Sequence, residues 1–291
     1  KSLCFSEIQM SENLTLNNDQ KQTLKQLAEK KAQIASLDIH KEKADLWRSL
    51  NDLKQKRPMV WIDEVCWPET HIYDDLVCEE GFFRDIEIAL RQQIYSWENF
   101  PVDMIVENCM FCPLAFNDSK YGLERVDEKI ELTKDSTAPA RKYKQQIKNE
   151  DDIQKLKNPV ITLDEELTNR RFDAMSEVFD PVLPVVKHGV GFLWFSPWDN
   201  LVQLTGAQEA LMGLAFEPDL YKKILDRILE IWMIRLDKYC ELGLFASDNN
   251  NTRVGSGGYG YSCELGPEDK FTHAKPQERW GNAAAQIFSE V

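Results

Sequence analysis

Apolar residues recur at three- and four-residue spacing over several long stretches of the chain. This periodicity predicts two helices within residues 20–57 and a third over 81–97, each with one apolar face. A fourth helix is predicted to start at the capping-box sequence TLDE (162–165). Pro218 fits the first turn of a long fifth helix, which Gly243 ends. Amphipathic helices therefore make up much of the predicted structure.

Short apolar runs lie between these helices and predict buried strands. They cover residues 59–62, 102–106, 182–186, 191–195 and 244–246. Alternation of short strands with helices favours an α/β fold with parallel strands. The stretch 117–157 is rich in Lys, Asp and Glu, so we expect a solvated insertion there.

The amino-acid composition of the chain makes some classes of binding partner and cellular location less favourable than others. The formal net charge of −14 disfavours nucleic acid and membrane surfaces, because both are bound by clustered Lys and Arg. Seven cysteines in 291 residues are an odd number in a chain too long to need a disulfide framework, which favours a reducing compartment. No apolar run reaches the roughly 18 residues of a membrane span. We therefore expect a soluble cytoplasmic protein.

The stretch NNNTRVGSGGYG (249–260) contains the spacing G-x-G-x-x-G of dinucleotide-binding loops. A phosphate-binding loop must lead directly into a helix, whereas Pro267 and Pro276 interrupt the residues that follow. Two interpretations stay open: a flexible surface loop, and a loop whose Asn and Arg side chains bind a ligand.

Cysteine and histidine spacing gives no complete metal site. Cys109 and Cys112 have metal-ligand spacing, but a structural zinc site needs four ligands and the chain has no second pair. Two buried thiols or a redox pair are the remaining interpretations. The four histidines are scattered, and His188, which follows an apolar run, is the best pocket candidate among them.

Polar and aromatic side chains follow the predicted strands. In a parallel α/β barrel the carboxyl ends of the strands meet at one mouth, where the active site lies. Alternatively, such ends are polar because solvent reaches them. We expect the carboxylates to bind a cationic group or orient a ligand, and the amides to form hydrogen bonds with it. The candidate site residues are Asp63, Glu64, Trp67, Glu107, Trp198, Asp199, Asn249, Asn250, Arg253 and Tyr259.

Four segments in chain order resemble the uroporphyrinogen decarboxylase superfamily. They are RPMVWIDE (57–64), VDMIVEN (102–108), GFLWFSPWDNLVQLTG (191–206) and EPDLYKKILDRI (217–228). The resemblance extends over roughly residues 40–291 and implies a (β/α)8 TIM barrel. We therefore expect an N-terminal helical extension at 1–57, and at 58–291 a barrel that is incomplete because the chain is an N-terminal fragment of a longer member. The charged stretch 117–157 would be an insertion in this barrel.

The superfamily contains porphyrinogen decarboxylases and methyltransferases that act with methylated corrinoid proteins. The decarboxylases carry an Arg-rich loop after the first strand, whereas this chain has Asp63 and Glu64 there. The resemblance therefore favours a methyltransferase with a corrinoid protein as partner, and with zinc whose ligands lie beyond Val291 and not in this chain. One alternative is decarboxylation of uroporphyrinogen in porphyrin biosynthesis, without a cofactor. A second alternative is a non-catalytic binding protein that keeps the barrel.

Overall fold

The computed structural model describes residues 13–63, 65–100, 102–130, 140–247, 250–253, 259–265 and 274–283. The α-helices in these ranges are α1 (Asn18–Ala35), α2 (Ile39–Asn51), α3 (Phe82–Asn99), α4 (Glu165–Phe179), α5 (Pro197–Thr205), α6 (Ala207–Phe216) and α7 (Pro218–Glu241). The strands are β1 (Met110–Pro113), β2 (Phe116–Asp118), β3 (Asp127–Ile130), β4 (Ala140–Tyr143), β5 (Ile161–Leu163), β6 (Val185–His188), β7 (Trp194–Phe195), β8 (Asn251–Arg253), β9 (Tyr259–Tyr261) and β10 (Asn282–Ala283). The five predicted helices correspond to α1–α4 and α7. Among the described helices, none combines the length and the apolar character that a bilayer crossing requires.

The strands pair two by two into small separate sheets. β1 pairs with β6 and β7 with β10, both in parallel, whereas β3–β4 and β8–β9 are antiparallel. β2 pairs with β5. The fold is thus mixed α/β, as the sequence predicts. The predicted barrel is not confirmed: a closed barrel gives every strand two neighbours in a continuous ladder, and the described residues form no such ring.

The chain divides into two compact units. The first consists of Lys1–Phe116, Leu163–Phe192 and Gly243–Gly281, and the second of Asn117–Thr162, Leu193–Leu242 and Asn282–Val291. The predicted division at residue 57 into an extension and a barrel stays a prediction.

The core of the first unit is formed by α1, α3 and α4 with the β1–β6 pair. α1 begins at a capping box, in which Asn17 Oδ1 accepts a hydrogen bond from Gln20 N and the Gln20 side chain accepts one from Asn17 N, both at 2.9 Å. The almost completely buried side chains of this core include Leu24, Leu90, Met175 and Phe179.

The N-cap of α4 is Asp164 and not Thr162, the first residue of the predicted capping box. Asp164 Oδ1 accepts a hydrogen bond from Leu167 N at 2.8 Å. Thr162 instead belongs to β5, so its main chain is part of a strand. Since Asp is as good an N-cap as Thr, the helix begins at the first position that the strand leaves available.

Two of the predicted strands, 59–62 and 102–106, are extended chain without a regular ladder. Asp103 N donates to Val60 O at 2.9 Å, but the Asp103 carboxylate takes the place of a main-chain acceptor for Val60 N, also at 2.9 Å. Arg57 fixes this carboxylate with two hydrogen bonds, of 2.6 and 2.8 Å, and holds the pKa of Asp103 below its ordinary value. A side chain therefore joins the two segments where a ladder was expected.

β6 starts three residues later than the predicted strand at 182–186. Directly after β6, Val190 forms an isolated parallel bridge with Phe245. The two chain segments can approach closely because Gly189 has no side chain: a Cβ atom there would lie 2.1 Å from Leu244 O. The segment around Phe245 is therefore a parallel neighbour of the chain directly after β6.

The second unit is built around α7. Its predicted apolar stripe is confirmed by three almost fully buried residues, Ile224, Ile228 and Ile231. The charged stretch 117–157 contributes Ile147 and Leu156, which are 1% and 2% exposed, to the same core. This stretch is therefore more buried than its composition predicts, because a few apolar side chains anchor the charged chain.

Candidate functional site

Extended segments of the first unit are neighbours in the order in which they follow along the chain. Residues 59–62 are hydrogen-bonded to Asp103, β1 pairs in parallel with β6, and Val190 after β6 bridges to Phe245. The chain then continues into β8. Polar side chains near the start of β8, among them Glu107, His188 and Asn250, form the candidate site.

Glu107 is buried and holds the start of β8. Its Oε1 accepts a hydrogen bond from Asn251 N at 3.3 Å, and the Asn251 side chain donates to Ile105 O at 2.7 Å. Asn251 Oδ1 is buried and has no hydrogen-bond partner within the described ranges. The ladder between β1 and β6 begins at Met110, so Glu107 precedes this strand and does not end it.

His188 ends β6 and lies next to Asn250, the residue before β8. Its ring is 4.3 Å from the ring of Phe111, and its Nε2 is 3.4 Å from Asn250 Nδ2, which also donates to Ser247 O at 3.2 Å. Burial lowers the pKa of His188 to about 4, with the positive charge of Arg279 adding to the effect. The imidazole is therefore neutral at pH 7, and because an amide nitrogen can only donate, Nε2 is the acceptor.

Arg279 is a cation that sequence patterns do not reveal. Its guanidinium donates to Gly191 O at 2.5 Å and lies 4.8 Å from the centre of the Phe245 ring. Gly191 is 88 positions earlier in the chain, so no local pattern predicts the contact. Ala274 N donates to Phe245 O at 3.3 Å, which brings the segment before Arg279 alongside residues 244–246.

Lys31 is a cation near Glu107 that is not among the predicted site residues. It is 6% exposed, and its Nζ donates to Cys109 O at 2.8 Å. Burial lowers the pKa of Lys31, while the nearby Cys109 and Glu107 act in the opposite direction. A sequence signal exists, because Lys31 falls within the three- and four-residue spacing of the apolar face of α1, where a charged residue is unusual.

Within the stretch NNNTRVGSGGYG, Asn251–Arg253 form β8, and Tyr259 and Gly260 belong to its antiparallel partner β9, while residues 249 and 254–258 lie outside the described ranges. Tyr259 stacks on Trp61, with ring centres 5.6 Å apart and ring planes at 22°. Asn51 Nδ2 donates to Tyr261 O at 3.1 Å, so α2 also holds β9. The residues that follow β9, as far as Leu265, are not helical, in agreement with the argument against a pyrophosphate-binding loop.

The predicted site residues fall into several groups. Glu107 and Asn250 lie together around β8, and Tyr259 lies on its partner strand. Asp63 is half-buried after residues 59–62, and the ring of Trp67 packs edge-on against Tyr95 of α3 at 6.0 Å.

The remaining predicted residues belong to the second unit, or are described in part or not at all. Trp198 and Asp199 belong to the second unit, in the first turn of α5. Glu64 and Asn249 lie outside the described residues, and Arg253 is described only as part of the main chain of β8. We define the polar cluster by five residues of the first unit: Glu107, His188, Asn250, Asn251 and Arg279.

No metal site is present in the part of the chain that the structure describes, since no three His, Cys, Asp or Glu side chains come together there. Cys109 and Cys112 are buried thiols that form no disulfide. Residues three apart in extended chain are separated by about 10 Å, which is beyond the reach of a disulfide. The interpretation of this pair as two buried thiols therefore agrees with the structure.

A shallow depression of about 480 Å³ lies in the second unit, at some distance along the chain from the polar cluster. Its only guanidinium among the described lining residues, that of Arg227, already bonds to Glu230, Asn158 and Leu156 O. None of the predicted site residues lines this depression. We place the candidate site at the polar cluster, because unsatisfied or weakly bonded buried groups are a stronger sign of a ligand than concavity alone.

The polar cluster thus combines a buried carboxylate, a neutral imidazole, two amides and a guanidinium around one strand. Such a set can bind a small polar molecule through hydrogen bonds. No protein-family model, curated protein or solved structure matches the chain, so the function is inferred from the chemistry of the polar cluster.

Proposed function

We propose that the first unit consists of successive strand–helix units of a (β/α)8-type barrel, related to the uroporphyrinogen decarboxylase superfamily. We further propose that the polar cluster binds the methyl acceptor in a methyl transfer with a corrinoid protein. The parallel neighbours β1, β6 and residues 244–246 support the barrel, because barrel strands are adjacent in chain order.

The observation that carries the proposal is a neutral His188 beside the buried amide of Asn250. With a pKa of about 4, the imidazole accepts a hydrogen bond at pH 7 and holds no positive charge that would repel the methyl donor. Asn251 Oδ1 is a buried acceptor that awaits a donor, which a substrate O–H, N–H or S–H group can provide. Asn251 Oδ1 would orient this group, and the corrinoid carried by the partner would supply the methyl group.

Zinc does not fit the described residues, because their His, Cys, Asp and Glu side chains form no group of three. We therefore assign no step to a metal. Glu107 instead has a positioning role in the proposal, since its carboxylate accepts from Asn251 N and so keeps the Asn251 amide in place.

The charges of the cluster support methyl transfer over decarboxylation of a porphyrinogen. An octa-acid substrate needs several cations, whereas Glu107 brings a buried negative charge. The guanidinium of Arg279 is engaged with Gly191 O and the Phe245 ring.

The test is an assay of the full chain with methylcobalamin and a panel of thiol, amine and folate acceptors, followed by the loss of methyl–cobalt absorbance. We expect demethylation with at least one acceptor, and about a tenfold rise in KM for His188→Ala, which removes the group that accepts a hydrogen bond from the Asn250 amide and so loosens the site. His71→Ala is the matched control, because the side chain of His71 is 95% exposed and should leave KM unchanged.

The outcomes separate the three functions. No demethylation with any acceptor would refute methyl transfer. Conversion of uroporphyrinogen to products with fewer carboxylates would support the decarboxylase instead. Tight binding of a member of the panel without turnover, abolished by His188→Ala, would indicate a non-catalytic binding protein.

A further inference from the structure

His40 of α2 is buried, and both nitrogens of its imidazole are hydrogen-bonded. Nε2 lies 2.9 Å from Ile34 O of α1, and Nδ1 accepts a hydrogen bond from Val106 N at 3.4 Å. Because a carbonyl oxygen can only accept, Nε2 carries the proton and Nδ1 carries the free electron pair. The neutral imidazole thus joins α1 to the chain segment that leads into Glu107.

Val106 lies between the two residues that hold Asn251 of the polar cluster. Ile105 O accepts a hydrogen bond from the Asn251 side chain at 2.7 Å, and Glu107 Oε1 accepts one from Asn251 N at 3.3 Å. Residues 102–106 are extended chain without a regular ladder, so the His40 side chain serves Val106 as a strand neighbour would. The position of the Val106 main chain therefore determines where both acceptors for Asn251 lie.

We propose that His40 is a positioning residue of the polar cluster: by accepting from Val106 N it fixes Ile105 and Glu107. Through them it fixes Asn251. The proposal rests on the polar cluster being the binding site of the proposed function. Protonation of Nδ1 sets a ring N–H against the Val106 N–H, so that two donors face each other. We expect the Val106 main chain to move away, and both contacts with Asn251 to weaken together.

The groups around His40 determine when it is protonated. Burial lowers the pKa of His40 below its ordinary value of 6.5. The hydrogen bond with Ile34 O opposes this shift, the Lys43 ammonium on the same helix adds to it, and the Glu107 carboxylate opposes it. α3 contributes the uncharged ring of Trp97, 4.8 Å from the imidazole. The bond at Nδ1 is therefore present at pH 7 and is lost as the pH falls below 6.5.

The experiment is an NMR titration of the full chain, labelled with 15N in valine, asparagine and histidine. It runs from about pH 8 to about pH 5, across the range in which histidine titrates. We expect the His40 ring to carry its proton on Nε2 at the alkaline end. The main-chain amide of Val106 and the side-chain amide of Asn251 should then shift at the pH at which His40 is protonated. Both shifts should remain in His188→Gln, which removes the imidazole next to Asn250.

Two variants of His40 separate positioning from packing. The side-chain oxygen of asparagine can take the place of Nδ1, whereas the amide of glutamine reaches the place of Nε2. His40→Asn keeps an acceptor for Val106 N and cannot be protonated, so the Asn251 signal should match the neutral wild type at every pH. The loss of one donor to Ile34 O is tolerable there, because Leu37 N also donates to it at 3.1 Å.

His40→Gln keeps a donor for Ile34 O but loses the acceptor at Nδ1. Its Asn251 signal should resemble that of the acid wild type at every pH. His71→Gln is the matched control, because it makes the same substitution at a histidine whose side chain is 95% exposed, and it should titrate like the wild type. Circular dichroism shows whether each variant is folded.

Three results of the wild-type titration would overturn the inference. They are protonation of His40 without a shift at Val106 and Asn251, a neutral ring with its proton on Nδ1, and a ring that stays neutral until the chain unfolds. The titration needs neither a ligand nor a corrinoid protein. A failure of methyl transfer therefore leaves the positioning role of His40 intact, and a failure of the positioning role leaves the methylcobalamin assay to decide the proposed function.

Discussion

Two buried polar networks, one in each unit, differ in how far their groups are satisfied. In the second unit Tyr239 Oη donates to Asp118 Oδ2 at 2.8 Å, and Arg235 donates to both residues. In the first unit Asn251 Oδ1 is buried without a hydrogen-bond partner in the described ranges, and the His188–Asn250 contact is long, at 3.4 Å. The first arrangement is closed and specifies a fold, whereas the second leaves acceptors for a ligand.

The ionisable groups of the two networks also differ in how burial shifts their pKa values. Burial raises the pKa of Tyr239 well above its ordinary value and that of Tyr121 to about 12, so both phenols stay protonated around the Asp118–Arg235 pair. Burial of His188 instead removes a charge near neutral pH. A buried polar group is therefore not a sign of function by itself, and the decisive question is whether its neighbours satisfy it.

The largest expected effect comes from removing the Asp118 carboxylate from its network with Arg235 and Tyr239. Asp118→Ala leaves the guanidinium of Arg235, whose side chain is 16% exposed, without its counter-charge. We expect a loss of about 3–5 kcal/mol in the free energy of unfolding, because an unpaired buried charge is costly. Urea unfolding of the full chain, followed by circular dichroism, measures this change.

The control for Asp118→Ala is Glu128→Ala, which removes an exposed ion pair with Lys144, whose side chain is 55% exposed. This variant should lose less than about 1 kcal/mol. If the two variants lost the same amount, the network in the second unit would not be the closed, stabilising one described above.

A smaller effect is expected from the dependence of stability on pH, which His188 of the polar cluster causes. The folded pKa of His188, about 4, lies below the value of about 6.5 in an unfolded chain. Between these values the unfolded chain binds a proton that the folded chain does not. The contribution to stability is therefore complete above pH 6.5 and is lost as the pH falls towards 4, by at most about 3 kcal/mol.

Urea unfolding at pH 7 and at about pH 4.5 tests this prediction. His188→Gln cannot be protonated, so it should lose less stability between the two pH values than the wild type. His71→Gln should follow the wild type, since His71 is exposed. An equal loss in wild type and His188→Gln would mean that the pKa of His188 is the same in the folded and the unfolded chain, and that the imidazole is not kept neutral by burial.

The smallest expected effect concerns the aromatic stack that holds β9. A double-mutant cycle with Trp61→Ala and Tyr259→Ala should give a coupling energy of about 0.5–1.5 kcal/mol, because the rings stack. A cycle of Trp61→Ala with Tyr73→Ala, a partly exposed residue, should give a coupling near zero. Additive losses for Trp61 and Tyr259 would show that β9 is held by its main-chain contacts alone.

The sequence predicted helices better than strands, for a physical reason. α7 satisfies its main-chain hydrogen bonds within itself, and its stripe of Ile224, Ile228 and Ile231 is visible in the sequence. Residues 59–62 depend on a partner, and the side chain of Asp103, 43 residues after Val60, decides how Val60 is bonded. No pattern around residues 59–62 contains this information.

The same limit applies to the candidate site. Glu107, Asn250 and His188 could be singled out because they follow apolar runs or lie in an Asn-rich stretch. Arg279 enters the cluster through a contact with a distant carbonyl group, which only the folded chain shows. Trp198 follows an apolar run in the same way as Glu107, but the chain has by then entered the second unit.

Gly189 has a consequence for how the protein can vary in sequence. It lies between His188 and the bridge at Val190, where the Leu244 carbonyl group leaves no space for even a methyl group. Substitution of side chains in the polar cluster can change which ligand is bound without altering the backbone. A side chain at Gly189 would separate β6 from residues 244–246 whatever the ligand, so backbone spacing, and not ligand chemistry, sets the strictest limit on substitution at this site.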